Sequence, residues 1–296
     1  MTASVEQQGV IVKALAGFYY VAVEDEILEC RARGKFRKTG ECPLVGDRVV
    51  VLREGEKGTV QQILPRKNAF LRPAVANIDV LVILASRAIP VTEPFLIDRM
   101  TVLALRQGVT PVICVNKTDL ASPEPLAKLY GPAGFPVVCT SAETGEGISE
   151  LWELLAGKTV AFTGNSGVGK SAILHRLCPE LSLQIGEVSQ KLGRGRHTTR
   201  HVERFSLGEG TYVVDTPGFA SLELELAEPV PKQDLAELFP EFRPYLGQCR
   251  FLDCTHRREP DCGVLAALAA GEIPAARHQS YLRLYEAAEQ YKPWEK

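Results

Sequence analysis

The sequence predicts a multidomain α/β protein: an N-terminal β-barrel of the OB-fold kind, a core built on a mostly parallel sheet, and a C-terminal α-helical zinc-binding domain. Three observations carry this. The first seventy residues contain five short apolar runs separated by turn signals. Residues 79 to 215 alternate strand-like runs with helical stretches, which argues for a parallel sheet covered on both faces. Near the end, three cysteines and one histidine fall within fourteen residues. A chain of 296 residues suits two or three domains, and the boundaries are expected at 1–68, 69–222 and 223–296.

The barrel runs are Gly9 to Ala14, Gly17 to Val23, Ile27 to Arg33, Asp47 to Arg53 and Gly58 to Leu64. Between the third and fourth, residues 31 to 38 carry five positive charges with Phe36 among them. That composition suits RNA, with cations on phosphates and Phe36 offered for stacking, although a solvated hairpin loop has the same composition. Phe18, Tyr19 and Tyr20 lie on an alternating strand, so some are expected to face the core. Lys67 to Asn77 links barrel to core, Asp79 to Leu84 opens the sheet, and Glu93 to Arg106 is its first crossover helix.

Inside the core, Gly164, Asn165, Ser166, Gly167, Val168, Gly169, Lys170 and Ser171 match the phosphate-loop pattern G-x-x-x-x-G-K-S/T. The apolar run Val160 to Phe162 precedes it and a helical stretch, Ser171 to Leu177, follows, which is the context the motif needs. Glycines let backbone N–H groups curl around phosphates, and the helix N-terminus adds partial positive charge. Lys170 is expected to reach the β- and γ-phosphates and Ser171 to hold Mg²⁺. Asp215 ends the run Tyr212 to Val214; its carboxylate would hold Mg²⁺ through water, and the Gly218 N–H would meet the γ-phosphate.

A second motif, Asn116, Lys117, Thr118 and Asp119, caps the buried run Pro111 to Val115. The Asp119 carboxylate can accept from both guanine N1 and N2 donors, a pairing adenine does not offer. Asn116 would reach the other edge of the base and the Lys117 stem would pack on the ring. Ser141 and Ala142, after the strand Val137 to Cys139, resemble the loop whose Ala N–H meets guanine O6. The base-reading motif therefore precedes the phosphate loop, the reverse of the ordinary order, as in a circular permutation.

Between phosphate loop and Asp215, the segment from Ser189 to Arg200 has two glycines, four Lys or Arg and no apolar period. It reads as a switch ordered by the γ-phosphate and Mg²⁺. Thr199 is the expected Mg²⁺-binding threonine, with Thr198 the alternative. Phe219 occupies the place of the glutamine that orients attacking water in Ras-like enzymes. His197 is the nearby candidate for that role; a solvated loop histidine is the other reading.

The rotated order and the G-R-H-T-T switch at residues 195 to 199, with the flanking segments, resemble the circularly permuted, small-ribosomal-subunit-dependent GTPases of the RsgA family. The resemblance implies an OB-fold, a circularly permuted P-loop GTPase core and a C-terminal zinc domain. It also implies GTP hydrolysis to GDP and phosphate that the small subunit stimulates late in its maturation, coupled to release. The family's proposed catalytic histidine matches His197, beside Thr199 and Lys170. A nucleotide-gated RNA-binding checkpoint, with hydrolysis incidental, is the alternative that Phe219 leaves open.

Net charge is −2, so any RNA-binding surface must be local. No apolar run approaches the roughly 18–20 residues of a membrane span. The N-terminus lacks the basic and apolar regions of a signal peptide, and a cytoplasmic monomer is expected. In a reducing compartment, clustered cysteines point to metal rather than disulfides. Cys249, Cys254, His256 and Cys262 are a complete tetrahedral set for one structural Zn²⁺. Cys114 and Cys139 lie in strands and are expected in the core. Pro274 to Tyr291, with apolar residues at helical spacing, is the closing helix.

Overall fold

A computed structural model describes residues 5–36, 40–71, 74–180, 202–215 and 230–290. The chain divides into two compact units. One comprises residues 1–81, 152–163 and 171–227; the other comprises 82–151, 164–170 and 228–296. Among the described residues no helix is long and apolar enough to cross a membrane.

The first unit begins with five strands: β1 (Val5–Leu15), β2 (Phe18–Val23), β3 (Glu26–Ala32), β4 (Arg48–Glu54) and β5 (Lys57–Ile63). Their order is β1-β2-β3-β5-β4, and β4 pairs back onto β1 to close the barrel. Only the β3–β5 pairing is parallel, which is the OB-fold arrangement. Val21, Val23, Leu28, Val49, Val51 and Val60 fill its interior. Phe18, Tyr19 and Tyr20 are each only half-buried, so the core expectation made for them passes to Val21 and Val23. Phe36 corrects a second expectation. At 5% exposure its ring is inside, and it cannot stack on RNA. The Phe36 N–H bonds the Arg33 carbonyl in a tight turn. Full burial of such a ring is worth about 1.5–3 kcal/mol.

β1 does more than close the barrel. A register shift between Ile11 and Lys13 bends the strand, so Val5 to Val10 pair with β4 while Lys13 and Ala14 pair with β12 (Val202–Gly208). β12 is antiparallel to β13 (Thr211–Asp215), which runs parallel to β11 (Thr159–Gly164). The segment expected as a plain linker contains a small hairpin, β6 (Ala69–Leu71) with β7 (Ala74–Ala76). Asn68 secures it by bonding both the N–H and the carbonyl of Ile78.

In the second unit the strand order is β10-β9-β8. β9 (Thr110–Asn116) and β10 (Val137–Cys139) are parallel. Every residue of β8 (Val80–Ser86) is buried, the near-continuous apolar pattern of a strand covered on both faces. Cys114 is fully buried as expected, whereas Cys139 is half-buried. Three helices follow these strands: α1 (Pro94–Arg106), α2 (Glu124–Tyr130) and α3 (Ile148–Leu155). Pro94 opens α1, where its missing N–H costs nothing. The phosphate-loop helix α4 (Lys170–Leu177) begins at the lysine of the motif, the last residue of this stretch of the second unit, and continues in the first.

The second unit also holds α5 (Gly263–Ala269) and the closing helix α6 (Ala275–Gln290). Phe239, Phe242 and Tyr281 pack ring on ring, with centroids 5.1–5.5 Å apart, and Val102 of α1 joins their cluster. Beside it Arg277 is fully buried. Its guanidinium donates to Asp98 at 2.6 Å and to Glu241 at 2.6 and 3.2 Å, and it lies over the rings of Tyr130, Phe135 and Phe239. Burial works against its charge, but the two carboxylates more than offset that and raise its pKa. Removing the cation would leave both carboxylates buried and uncompensated. Arg277→Ala is expected to cost about 3–5 kcal/mol in denaturant unfolding. A loss below about 1 kcal/mol would mean that the cluster is not a structural tie.

Candidate nucleotide site and metal centre

The base-reading motif begins at the C-terminal end of β9, where ligands of parallel sheets bind. Asn116 is 2% exposed and acts as a brace. Its Nδ2 donates to the Val168 carbonyl at 2.9 Å, and its Oδ1 accepts from the Ala142 N–H at 3.1 Å and the Thr140 hydroxyl at 3.3 Å. One amide thus joins residues 116–119, 141–142 and the phosphate loop. Asp119 is exposed, with its carboxylate oriented by the Ser141 hydroxyl at 2.6 Å. Lys117 has a left-handed backbone (φ 67°), uncommon for a residue other than glycine. Its ammonium donates to the Ile89 carbonyl at 2.7 Å.

The phosphate loop follows β11 as expected. Gly164 has φ 149° and Gly169 has φ 107°. A side chain on Gly164 would meet the Leu84 carbonyl at 2.6 Å, and one on Gly169 would meet Asn116 Nδ2 at 2.2 Å. Val168 is fully buried and Ser166 and Gly167 are exposed. Such a loop offers backbone N–H groups to an anion at the start of α4. Lys170 and Ser171 occupy the first turn of that helix. Asp215 closes β13, opposite Glu203 of β12. His197, Thr198, Thr199, Gly218 and Phe219 lie outside the described residues. Sequence reading passed over Thr140, whose buried hydroxyl orients Asn116, and the Ile89 loop, because neither belongs to a phosphate or base motif.

The four metal candidates converge. Their ligand atoms all lie within 4.8 Å of one another. Cys249 Sγ is 3.7 Å from Cys262 Sγ and 3.6 Å from His256 Nδ1, which is 3.4 Å from Cys262 Sγ. A tetrahedral ion with bonds of about 2.0–2.3 Å needs ligand separations of roughly 3.5–3.8 Å, so the set fits such a cation through His256 Nδ1. The backbone is shaped for it, with left-handed residues at His256 (φ 57°) and Asp261 (φ 54°). His278 Nε2 donates to the His256 carbonyl at 2.8 Å, and the Tyr281 hydroxyl donates to the Thr255 carbonyl at 2.7 Å. Burial lowers the His256 pKa and so favours the neutral, ligating ring. Burial also pushes the Cys254 thiol up to about 12, so a bound cation is what draws that sulfur into its thiolate form.

Known proteins agree with this geometry. The family model described as RsgA GTPase matches residues 63–225, and the RsgA N-terminal domain matches residues 8–60. The chain belongs to the RsgA family. A curated RsgA relative from Alkaliphilus metalliredigens, named as a small ribosomal subunit biogenesis GTPase, is 44% identical over 94% of this chain and 96% of its own. One of the same name from Caldanaerobacter subterraneus is 47% identical, covering 94% of each chain. Among solved structures, YjeQ from Thermotoga maritima superposes with a TM-score of 0.83 at 34% identity, covering 97% of this chain and 100% of its own. YloQ, described as a circularly permuted GTPase, gives 0.78 at 32% identity, covering 98% and 97%. RsgA membership makes the rotated motif order a family trait, and the core is a circularly permuted P-loop GTPase domain.

The contact between Gly169 and Asn116 can be tested directly. Gly169→Ala introduces both a clash and an unfavourable φ, worth about 1–3 kcal/mol of strain. Calorimetric titration should find GDP binding about ten- to a hundredfold weaker. Wild-type affinity would mean that the brace has slack.

Proposed function

We propose that this chain is a GTPase of small ribosomal subunit biogenesis, acting late in subunit maturation and leaving the subunit after hydrolysis. The observation that carries the reading is the Asn116 brace, which ties a guanine-reading loop to a phosphate loop across 52 residues of a permuted chain. Asn116, Lys117, Asp119, Ser141 and Ala142 would hold the base, and residues 164–171 the phosphates. Ser171, Thr199 and Asp215 would hold Mg²⁺, whose role is to neutralise charge on the phosphates. Lys170 stabilises negative charge on the transferred group, Gly218 contacts the γ-phosphate, and His197 positions the attacking water.

The domain boundaries follow as 1–68, 69–222 and 223–296, a division that the family matches at 8–60 and 63–225 support. The barrel, with the basic residues Arg31, Arg33 and Lys35, is the rRNA-facing part. The protein works as a cytoplasmic monomer, where its ribosomal partner resides. Zn²⁺ is the ion for the Cys249, Cys254, His256 and Cys262 site; three thiolates and an imidazole suit it, and they leave no open position for chemistry.

GTP hydrolysis should rise about tenfold or more with purified small subunits, and not with large subunits or with ATP. No stimulation would leave a nucleotide-gated RNA-binding module. In single turnover on saturating subunits, His197→Ala should slow hydrolysis by about 10²–10⁴ while GDP affinity holds; equal rates would remove His197 from the mechanism. Elemental analysis should find about one zinc per chain, and Cys254→Ser should lose it together with hydrogen-exchange protection of α5 and α6. Protection that survives complete zinc removal would make the metal dispensable for that fold.

A further inference from the structure

The loop between β8 and α1 belongs to no motif, yet it touches both halves of the nucleotide site. Its base is pinned. The Thr92 N–H donates to the Ser86 carbonyl at 2.8 Å, and the Ser86 N–H donates to Thr92 Oγ1 at 3.0 Å. The Ser86 hydroxyl also accepts from the Ala88 N–H and donates to the Ala88 carbonyl, each at 3.0 Å. Both pinning residues are buried, Ser86 at 0% and Thr92 at 2% exposure.

At its apex the loop makes one hydrogen bond and one close approach. The Ile89 carbonyl accepts the Lys117 ammonium at 2.7 Å. Pro90 lies 3.5 Å from where a side chain on Gly167 would begin. Lys117 belongs to the base-reading loop and Gly167 to the phosphate loop. In any nucleotide, the group between base and phosphates is the ribose. Ile89 itself is 88% exposed, so its aliphatic side chain is open to a bound molecule.

We propose that Ile89 and Pro90 form the sugar-side wall of the guanine-nucleotide site, resting on the reading above that residues 116–119 and 164–171 bind that nucleotide. The Ile89 carbonyl is the positioning group: it holds the ammonium and thereby sets the course of the Lys117 stem against the base. The Ile89 side chain packs on the C–H face of the sugar. Pinning by Ser86 and Thr92 means that the wall is formed before the nucleotide arrives, so little ordering is required on binding.

The test compares GDP with a GDP carrying a methylanthraniloyl group on its ribose hydroxyls, each titrated against the full-length protein. Ile89→Ala should weaken GDP about three- to tenfold while the ribose-substituted nucleotide loses less, so that the ratio of the two affinities shifts. Ile89→Val should restore the wild-type ratio. In hydrolysis, Ile89→Ala should raise KM and leave kcat in place, as expected for uniform binding. Val91→Ala, exposed on the same loop, should leave both affinities unchanged. If Ile89→Ala shifts neither the ratio nor KM, or behaves like Val91→Ala, the wall is overturned. Wild-type protein that binds no GDP would overturn the nucleotide reading as well, and only that result implicates both.

Discussion

A single guanidinium is the tie on which much of the second unit depends. Arg277 stands on α6, Asp98 on α1 and Glu241 in the turn before the metal loop, and none of the three is meaningfully exposed. Separating any of these elements would strand a charge in an apolar surround of Phe135, Phe239 and Tyr130. That penalty exceeds what the pair gains by forming, which is why buried pairs specify an arrangement better than they stabilise it. Arg283 repeats the connection at the rim, on Glu93 at 2.7 Å and over the Phe95 ring at 3.6 Å. Being solvated, it contributes little by comparison. The consequence is that α1, the helix leaving the Ile89 loop, is also the helix against which the metal-bearing segment is fastened.

The nucleotide site shows why a permuted chain can keep its chemistry. Hydrogen bonds depend on where groups lie and not on the order in which the chain reaches them. Asn116 needs the Val168 carbonyl, the Ala142 N–H and the Thr140 hydroxyl at the ends of neighbouring elements, and it has all three. What permutation alters is which loops are covalent neighbours. Here the loop after β8 becomes the first part of the core that the chain builds, and it meets the base-reading and phosphate loops from one side.

Much of this was legible residue by residue. The barrel strands, β8 to β11, β13 and the closing helix could be read because apolar period and turn residues are local signals. The metal set was legible because four ligands fell within one short segment. Other features were not. Phe36 sat among cations and read as a surface ring, but its burial depends on a turn that only the folded barrel makes. The pairing of Lys13 and Ala14 with β12 joins residues about 190 positions apart, and a bulge in β1, not a composition, permits it. Thr140 and Ile89 carry no motif; their importance is a matter of what stands opposite them.

The sequence by itself determined the kinds of chemistry available: a phosphate loop, a guanine-reading loop, a tetrahedral donor set and their rotated order. Each is written in residue types at close spacing, and close spacing constrains geometry through the backbone alone. Only the tertiary structure decided which of those parts meet, through Asn116 on Val168, Lys117 on Ile89 and Arg277 between Asp98 and Glu241. Such contacts span tens to hundreds of residues. Many side chains could satisfy each of them, so no local pattern marks them until the chain has brought the partners within about 3 Å, where a hydrogen bond has its strength.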